Sequence, residues 1–248
     1  MIIDLTYPTY EGMFKYPSDP DPEIEINPAK IEQDPKTNDK KYKSGHTLLK
    51  IRNHHATHMD APAHKIQGGK TIDQYDITKF VNKASLVTLA QTGPSNLLKR
   101  QKREIRVEDI KDSIDNNDNN EIKALLFYTG FCDEMRKHDG KLFKDSRHMF
   151  ETKFPYFSMD AAEYIVKAFP NLNIVGIDSF ALDPSGSNSE VHRTFFRNDT
   201  LALETLANLN ELKLALKAKD KDTFTLHTAP ILYKGADAAQ VRAYAVIE

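Results

Sequence analysis

Asn53-His54-His55-Ala56-Thr57-His58-Met59-Asp60-Ala61-Pro62-Ala63-His64 is the stretch on which the reading of this chain turns. Four of the nine histidines fall within its last eleven residues, together with Asp60. An even spread over 248 residues would put none or one there, so a shared purpose is expected. Neutral imidazole and carboxylate are the N/O donors that suit Zn²⁺, Mn²⁺ or Fe²⁺. A hydrogen-bonded loop cluster is the plainer alternative.

Spacing limits the shapes that bring these groups together. A helix puts His54 and His58 on one face, but it carries Asp60 about 200° away from His54, and Pro62 bars a regular helix interior. The Glu that follows the first His in a helical zinc-protease motif is missing. Extended chain aligns positions 54, 58, 60 and 64 by parity, yet it spreads His54 and Asp60 over roughly 20 Å. Two ligands of one ion have Cα atoms no more than ~13 Å apart. A common ion therefore demands a bend, with Ala56 and the Ala61-Pro62-Ala63 turn as the expected places. A curved strand edge feeding a loop is the expected local structure. His64 stays open between ligand, acid/base and supporting group. His55, of opposite parity, reads as structural, and His46, His138, His148 and His227 read as isolated side chains.

Outward from this stretch, several apolar runs have the length of strands: Leu48–Ile51, Ser85–Ala90, Ala124–Tyr128, Ile174–Ile177, Phe224–Leu226 and Val241–Ile247. Ser158 is an N-cap candidate for a helix over Met159–Phe169, stopped by Pro170. Val107–Ile114 and Leu206–Lys217 are further helix candidates. The helix-then-strand succession after Ser158 points to a mixed α/β domain. Pro35–Ser44 and Asp115–Glu121 read as solvated excursions, neither with a functional signal. No linker or repeat divides the chain, so 1–248 is expected to form a single domain.

Composition narrows the functional classes. Lys and Arg number 34 against 36 Asp and Glu, a formal net charge of −2, which creates no general field for nucleic acid or an anionic membrane. No apolar stretch approaches the roughly 18 residues of a membrane span. The start lacks the basic region of a secretory signal. With one cysteine, Cys132, there is no internal disulfide framework, and a cytoplasmic location is expected. A G-x-S-x-G nucleophile elbow is absent, as are phosphate-binding and dinucleotide fingerprints.

In this order, His54 to His64 resemble the HxGTHxDxPxH signature of the cyclase-type metal-dependent hydrolases, which include bacterial kynurenine formamidase and isatin hydrolase. Ala56 in place of glycine is the one departure. The resemblance extends to Asp4-Leu5-Thr6, Gly12-Met13, Tyr16-Pro17 and Asp19-Pro20. It continues through Thr129-Gly130, Gly176-Ile177-Asp178, Val191-His192-Arg193, Leu203-Glu204, Ala229-Pro230 and Val241-Arg242-Ala243. It implies an α/β, three-layer β/β/α domain of the swivelling type with mixed sheets. It also implies homodimers or homotetramers with exchanged N-terminal arms. His54, His58 and Asp60 would be metal ligands and His64 a catalytic acid/base. His192 and Glu204 would be the second ligand pair of a binuclear centre. The ion would be Zn or Mn, one or two per chain.

The implied chemistry is hydrolysis of an amide C–N bond by metal-activated water, with an aryl formamide such as N-formylkynurenine as the small-molecule substrate. A lactam or lactone hydrolase acting on a ring like isatin, and a non-catalytic metal-binding scaffold, are the alternatives. Arg193 is a candidate to orient a substrate carboxylate, and Tyr16, Tyr75, Phe157 and Phe180 are candidates to line an aryl pocket. Cys132 reads as a small buried residue. Since every ligand-type side chain survives, the glycine replaced by Ala56 is expected to serve close packing. A positive φ there is expected to displace His54.

Overall fold

The computed structural model describes residues 1–16, 18–89, 97–99, 103–115, 121–138 and 153–248. The continuous apolar runs decide its centre. Ala124–Tyr128 and Ile174–Ile177 are strands at the bounds read from sequence, buried at every residue. They are flanked on both sides, so neither face nor edge needs a polar residue. Gly176 is required by packing: a Cβ there would lie 2.4 Å from the Leu126 side chain.

Nine strands form one mixed sheet in the order Ile2–Asp4, Tyr244–Val246, Thr223–His227, Val81–Thr88, Ala124–Tyr128, Ile174–Ile177, Leu201–Glu204, His58–Asp60, Ala238–Gln240. The four strands from Val81–Thr88 to Leu201–Glu204 are mutually parallel, and the remaining pairings are antiparallel. Alternate residues of a strand face opposite sides. Leu125 and Phe127 pack toward the helices Val107–Asp115, Met159–Ala168 and Glu190–Arg197. Ala124, Leu126 and Tyr128 share the opposite core with Met59 and Ala239 from one end of the strand order and Ala245 from the other. A sheet whose two ends meet in one core has curled on itself; those three helices cover its outer side, and the helix Leu209–Lys219 packs into the inner core. This is the expected α/β arrangement of β/β/α layers.

Ser158 caps its helix as read: its Oγ accepts from the Ala161 N–H at 3.2 Å, and Ala161, Ala162 and Ile165 are buried. Other boundaries moved. The helix expected from Leu206 begins at Leu209, because Leu206 bridges to Thr6 instead. The Val241–Ile247 run contributes only Tyr244–Val246 to the sheet, Val241 being bridged to Pro230. Leu48–Ile51 corresponds to His46–Lys50, which pairs with Glu23–Asn27 in an exposed ribbon outside the main sheet. Val81–Thr88 begins four residues before the expected Ser85, while Ala90 and residues 116–120 lie outside the described residues. Among the described residues, no helix is long and apolar enough to cross a membrane.

Candidate metal centre

The His-rich segment turns sharply before it enters the sheet. Residues 53–57 form a bend in which Ala56 has φ +59°, so the position is left-handed, against the packing-only expectation. That conformation costs a non-glycine residue roughly 1–2 kcal/mol. His54 nevertheless keeps its place, because the bend is pinned on both sides. The His55 N–H donates to the Arg52 carbonyl. Thr57 Oγ1 donates to the Thr205 carbonyl at 2.6 Å and accepts from the Tyr7 N–H at 2.7 Å.

His58–Asp60 is then an interior strand, not the edge expected, lying between Leu201–Glu204 and Ala238–Gln240. The registers place Glu204 opposite His58, and both Ala202 and Ala238 opposite Asp60. Met59 points into the inner core, so His58 and Asp60 face the helix-covered side. There, helix Glu190–Arg197 presents His192. The 3₁₀ turn Pro62–His64 folds His64 back toward the same place.

Asp60, fully buried, is the hub. His54 Nδ1 lies 3.0 Å and His58 Nε2 3.2 Å from its Oδ1. His64 Nε2 lies 3.6 Å and His192 Nε2 3.7 Å from its Oδ2. Glu204 spans the two groups, Oε2 being 3.4 Å from His58 Nε2 and Oε1 3.0 Å from His192 Nε2. All six residues singled out from the sequence are thus brought together. Two sets, His54/Asp60/His64 and His58/Asp60/Glu204, have donor atoms within 4.8 Å of one another.

This arrangement fits a cation. Both Asp60 oxygens and His58 Nε2 are buried without a hydrogen-bond partner, a costly state unless something else satisfies them. Donors at ~2.1 Å from a tetrahedral ion sit roughly 3.4 Å from each other, close to the 3.0–3.7 Å spacings observed.

Each imidazole is anchored through its other nitrogen. His58 Nδ1 faces the Ala56 carbonyl at 2.9 Å, and His192 Nδ1 is hydrogen-bonded to Asp183 Oδ2. Asp183 also accepts from the N–H groups of Val191 and His192, fixing the start of that helix. His54 Nε2 and His64 Nδ1 both contact Asp237 Oδ2, at 3.1 and 3.0 Å. Asp183 and Asp237 escaped the sequence reading. Asp237 lies 183 residues from His54 and 173 from His64, so no local pattern joins them.

The charges are tightly matched. Burial pulls the His54 pKa down, but the Asp60 charge and the hydrogen bond to Asp237 outweigh it and raise it to about 9. His192 is also raised to about 9, its burial outweighed by Glu204 and Asp183. His58 is driven well above the usual range, Asp60 and Glu204 overcoming its burial. Conversely, Asp60 and Glu204 are held below the usual carboxylate range despite burial that acts to raise them, because imidazoles surround them. Hydrogen bonds from His54 and His64 keep Asp237 low as well. The carboxylates of Asp60, Asp183, Glu204 and Asp237 gather negative charge around these imidazoles. A divalent cation would balance that charge with neutral imidazole as ligand.

A cavity of about 450 Å³ opens onto this cluster, lined by His54, His58, His64, His192, Glu204 and Asp237 on one side. Phe14, Tyr16 and Phe180 supply aromatic wall. Tyr75 and Phe157 do not line it: Tyr75 donates to Asp199, and Phe157 belongs to the core beneath the helices. Arg193 is likewise absent from its lining and is paired with Glu190. His55 is buried behind the bend, and His227 stacks on Tyr244 with ring centroids 4.6 Å apart. His46 sits on the exposed ribbon. Cys132 is buried, and burial pushes its thiol pKa up. Pro17, His148 and the His138 side chain lie outside the described residues.

A family model described as "Putative cyclase" matches residues 3–184. An uncharacterized protein of Haemophilus influenzae is 28% identical over 130 residues, 52% of this chain and 80% of that protein. The structure of a potential metal-dependent hydrolase with cyclase activity superposes with a TM-score of 0.66 at 23% identity, covering 99% of this chain and 96% of the other. Isatin hydrolase A from Labrenzia aggregata, bound to benzyl benzoate, gives a TM-score of 0.71 at 17% identity over 100% and 94%. At these identities the two structures establish a shared fold.

Proposed function

The chain belongs to the cyclase family, whose model spans residues 3–184, and from that premise we propose that it is a metal-dependent hydrolase of an amide C–N bond, with an aryl formamide such as N-formylkynurenine as substrate. One observation carries the reading: a fully buried carboxylate with both oxygens unpartnered stands between two groups of nitrogen donors. In this reading His54, His58 and Asp60 would hold one ion, and His192 and Glu204, on the other side of Asp60, would hold a second. Zn²⁺ or Mn²⁺ suits that donor set. When bound, such an ion supplies Lewis acidity, polarising the substrate carbonyl and bringing the pKa of water toward roughly 7.

The chain's own residues do the rest. His64, its side chain 20% exposed and facing the cavity, accepts a proton at Nε2 from the attacking water and returns it to the leaving nitrogen. Phe14, Tyr16 and Phe180 flank a flat aryl group and limit water around it. Protein loaded with Zn²⁺ or Mn²⁺ is expected to turn over N-formylkynurenine in a direct absorbance assay. Metal-loaded protein inert toward both this formamide and isatin overturns the reading. A preference for isatin favours the cyclic-amide alternative, which the fold shared with isatin hydrolase supports.

The assembly is proposed to be a homo-oligomer. The ribbons Glu23–Asn27/His46–Lys50 and Lys30–Gln33/Lys40–Lys43 stand outside the main sheet and expose Ile26, Ile31, Tyr42, Leu48 and Leu49. Isolated two-stranded ribbons are marginal in water, and clustered apolar side chains on them call for a covering surface. A second copy of this chain supplies it. Sedimentation velocity at micromolar concentration is expected to show a dimer or larger species, and a monomer rejects the assembly.

A further inference from the structure

We propose that Asp237 is a positioning residue that sets the tautomers of His54 and His64 together, turning Nδ1 of the first and Nε2 of the second toward Asp60. The inference rests on the metal-centre reading above and adds a residue to it. A carboxylate only accepts hydrogen bonds, so both nitrogens that meet Asp237 Oδ2 must carry their protons there. The free lone pair of neutral His54 is then on Nδ1, 3.0 Å from Asp60 Oδ1. That of His64 is on Nε2, 3.6 Å from Asp60 Oδ2. The first is ready to hold an ion and the second to take a proton.

Asp237 is itself well fixed. Its Oδ1 accepts from Asn53 Nδ2 at 2.6 Å, and its carbonyl accepts from the Ala61 N–H at 2.8 Å. It immediately precedes the strand in which Ala238 pairs with Asp60, so the sheet register delivers its carboxylate to the two rings. Those rings lie 4.1 Å apart between centroids, close enough to share one oxygen. His58 and His192 are oriented by the Ala56 carbonyl and Asp183 instead. Among the described imidazoles, His54 and His64 are the two that contact Asp237. The second partner of a ligating imidazole typically contributes 10–100-fold in metal affinity.

The test uses the full chain with ¹⁵N-labelled histidine, loaded with ¹¹³Cd²⁺. Coupling from cadmium to Nδ1 of His54 is expected, with His64 in the Nδ1–H form. Asp237→Asn, which keeps the shape and removes the charge, is expected to weaken Zn²⁺ retention against a chelator about 10–100-fold. It should also lower kcat far more than it raises KM. Asp237→Glu is expected to restore part of both. Cadmium coupled to Nε2 of His54, or wild-type metal retention in both Asp237→Asn and Asp237→Ala, overturns the proposal while the metal centre stands. Wild-type protein that binds neither Zn²⁺ nor Cd²⁺ overturns the metal-centre reading itself.

Discussion

Asp60→Ala is expected to leave the protein folded but unable to retain metal, with affinity reduced at least ~1,000-fold in elemental analysis after dialysis against a weak chelator. Four imidazoles converge on this one carboxylate, two at each oxygen. The substitution therefore removes charge from both halves of the centre at once. Glu204 remains, but it reaches only His58 and His192. The strand itself should survive, since its backbone pairing on both sides and the packing of Met59 do not use the Asp60 side chain. Asp60→Asn gives a second arm with nearly unchanged volume and is expected to behave similarly. Equal metal content in wild type and both variants would remove Asp60 from the ligand set, and with it the proposed chemistry.

The contrast between Asp60 and Asp237 shows how much of the site the sequence could disclose. His54, His58, Asp60 and His64 lie within eleven residues, so the geometry of a short peptide already required a bend between His54 and Asp60. The structure has that bend at Ala56. What the peptide could not reveal was its backbone conformation. An alanine in a left-handed position looks like any other alanine, and its tolerance here depends on Thr57 and Thr205, 148 residues apart. Asp237 is 183 residues from His54, and its role exists only once Ala238 has paired with Asp60. The fold divides in the same way. Strands buried on both faces announce themselves as continuous apolar runs, as Ala124–Tyr128 and Ile174–Ile177 do. The strands that carry the site do not. Leu-Ala-Leu-Glu at 201–204 consists of good helix formers, and only pairing with both neighbours makes it a strand.

His64→Ala is expected to separate metal binding from turnover. The 3₁₀ turn that carries this side chain is held by the backbone, with the His64 N–H donating to the Ala61 carbonyl and the Ala63 N–H to the Lys70 carbonyl. Removing the imidazole therefore leaves the turn in place. His54, His58, His192, Glu204 and Asp60 all keep their mutual contacts, because none of those contacts runs through His64. Metal content should stay near wild type. The loss should appear in kcat, on the order of 10²–10⁴-fold, the usual contribution of a positioned acid/base. Its size should shrink for substrates with better leaving groups, because delivery of a proton to the leaving nitrogen matters less as that group becomes more acidic. A weakly basic anilide and an activated ester assayed side by side distinguish this from simple misplacement of substrate, which would slow both alike. If kcat is unchanged, the proton must travel by another route, and the exposed side of His64 would then serve only to shape the cavity.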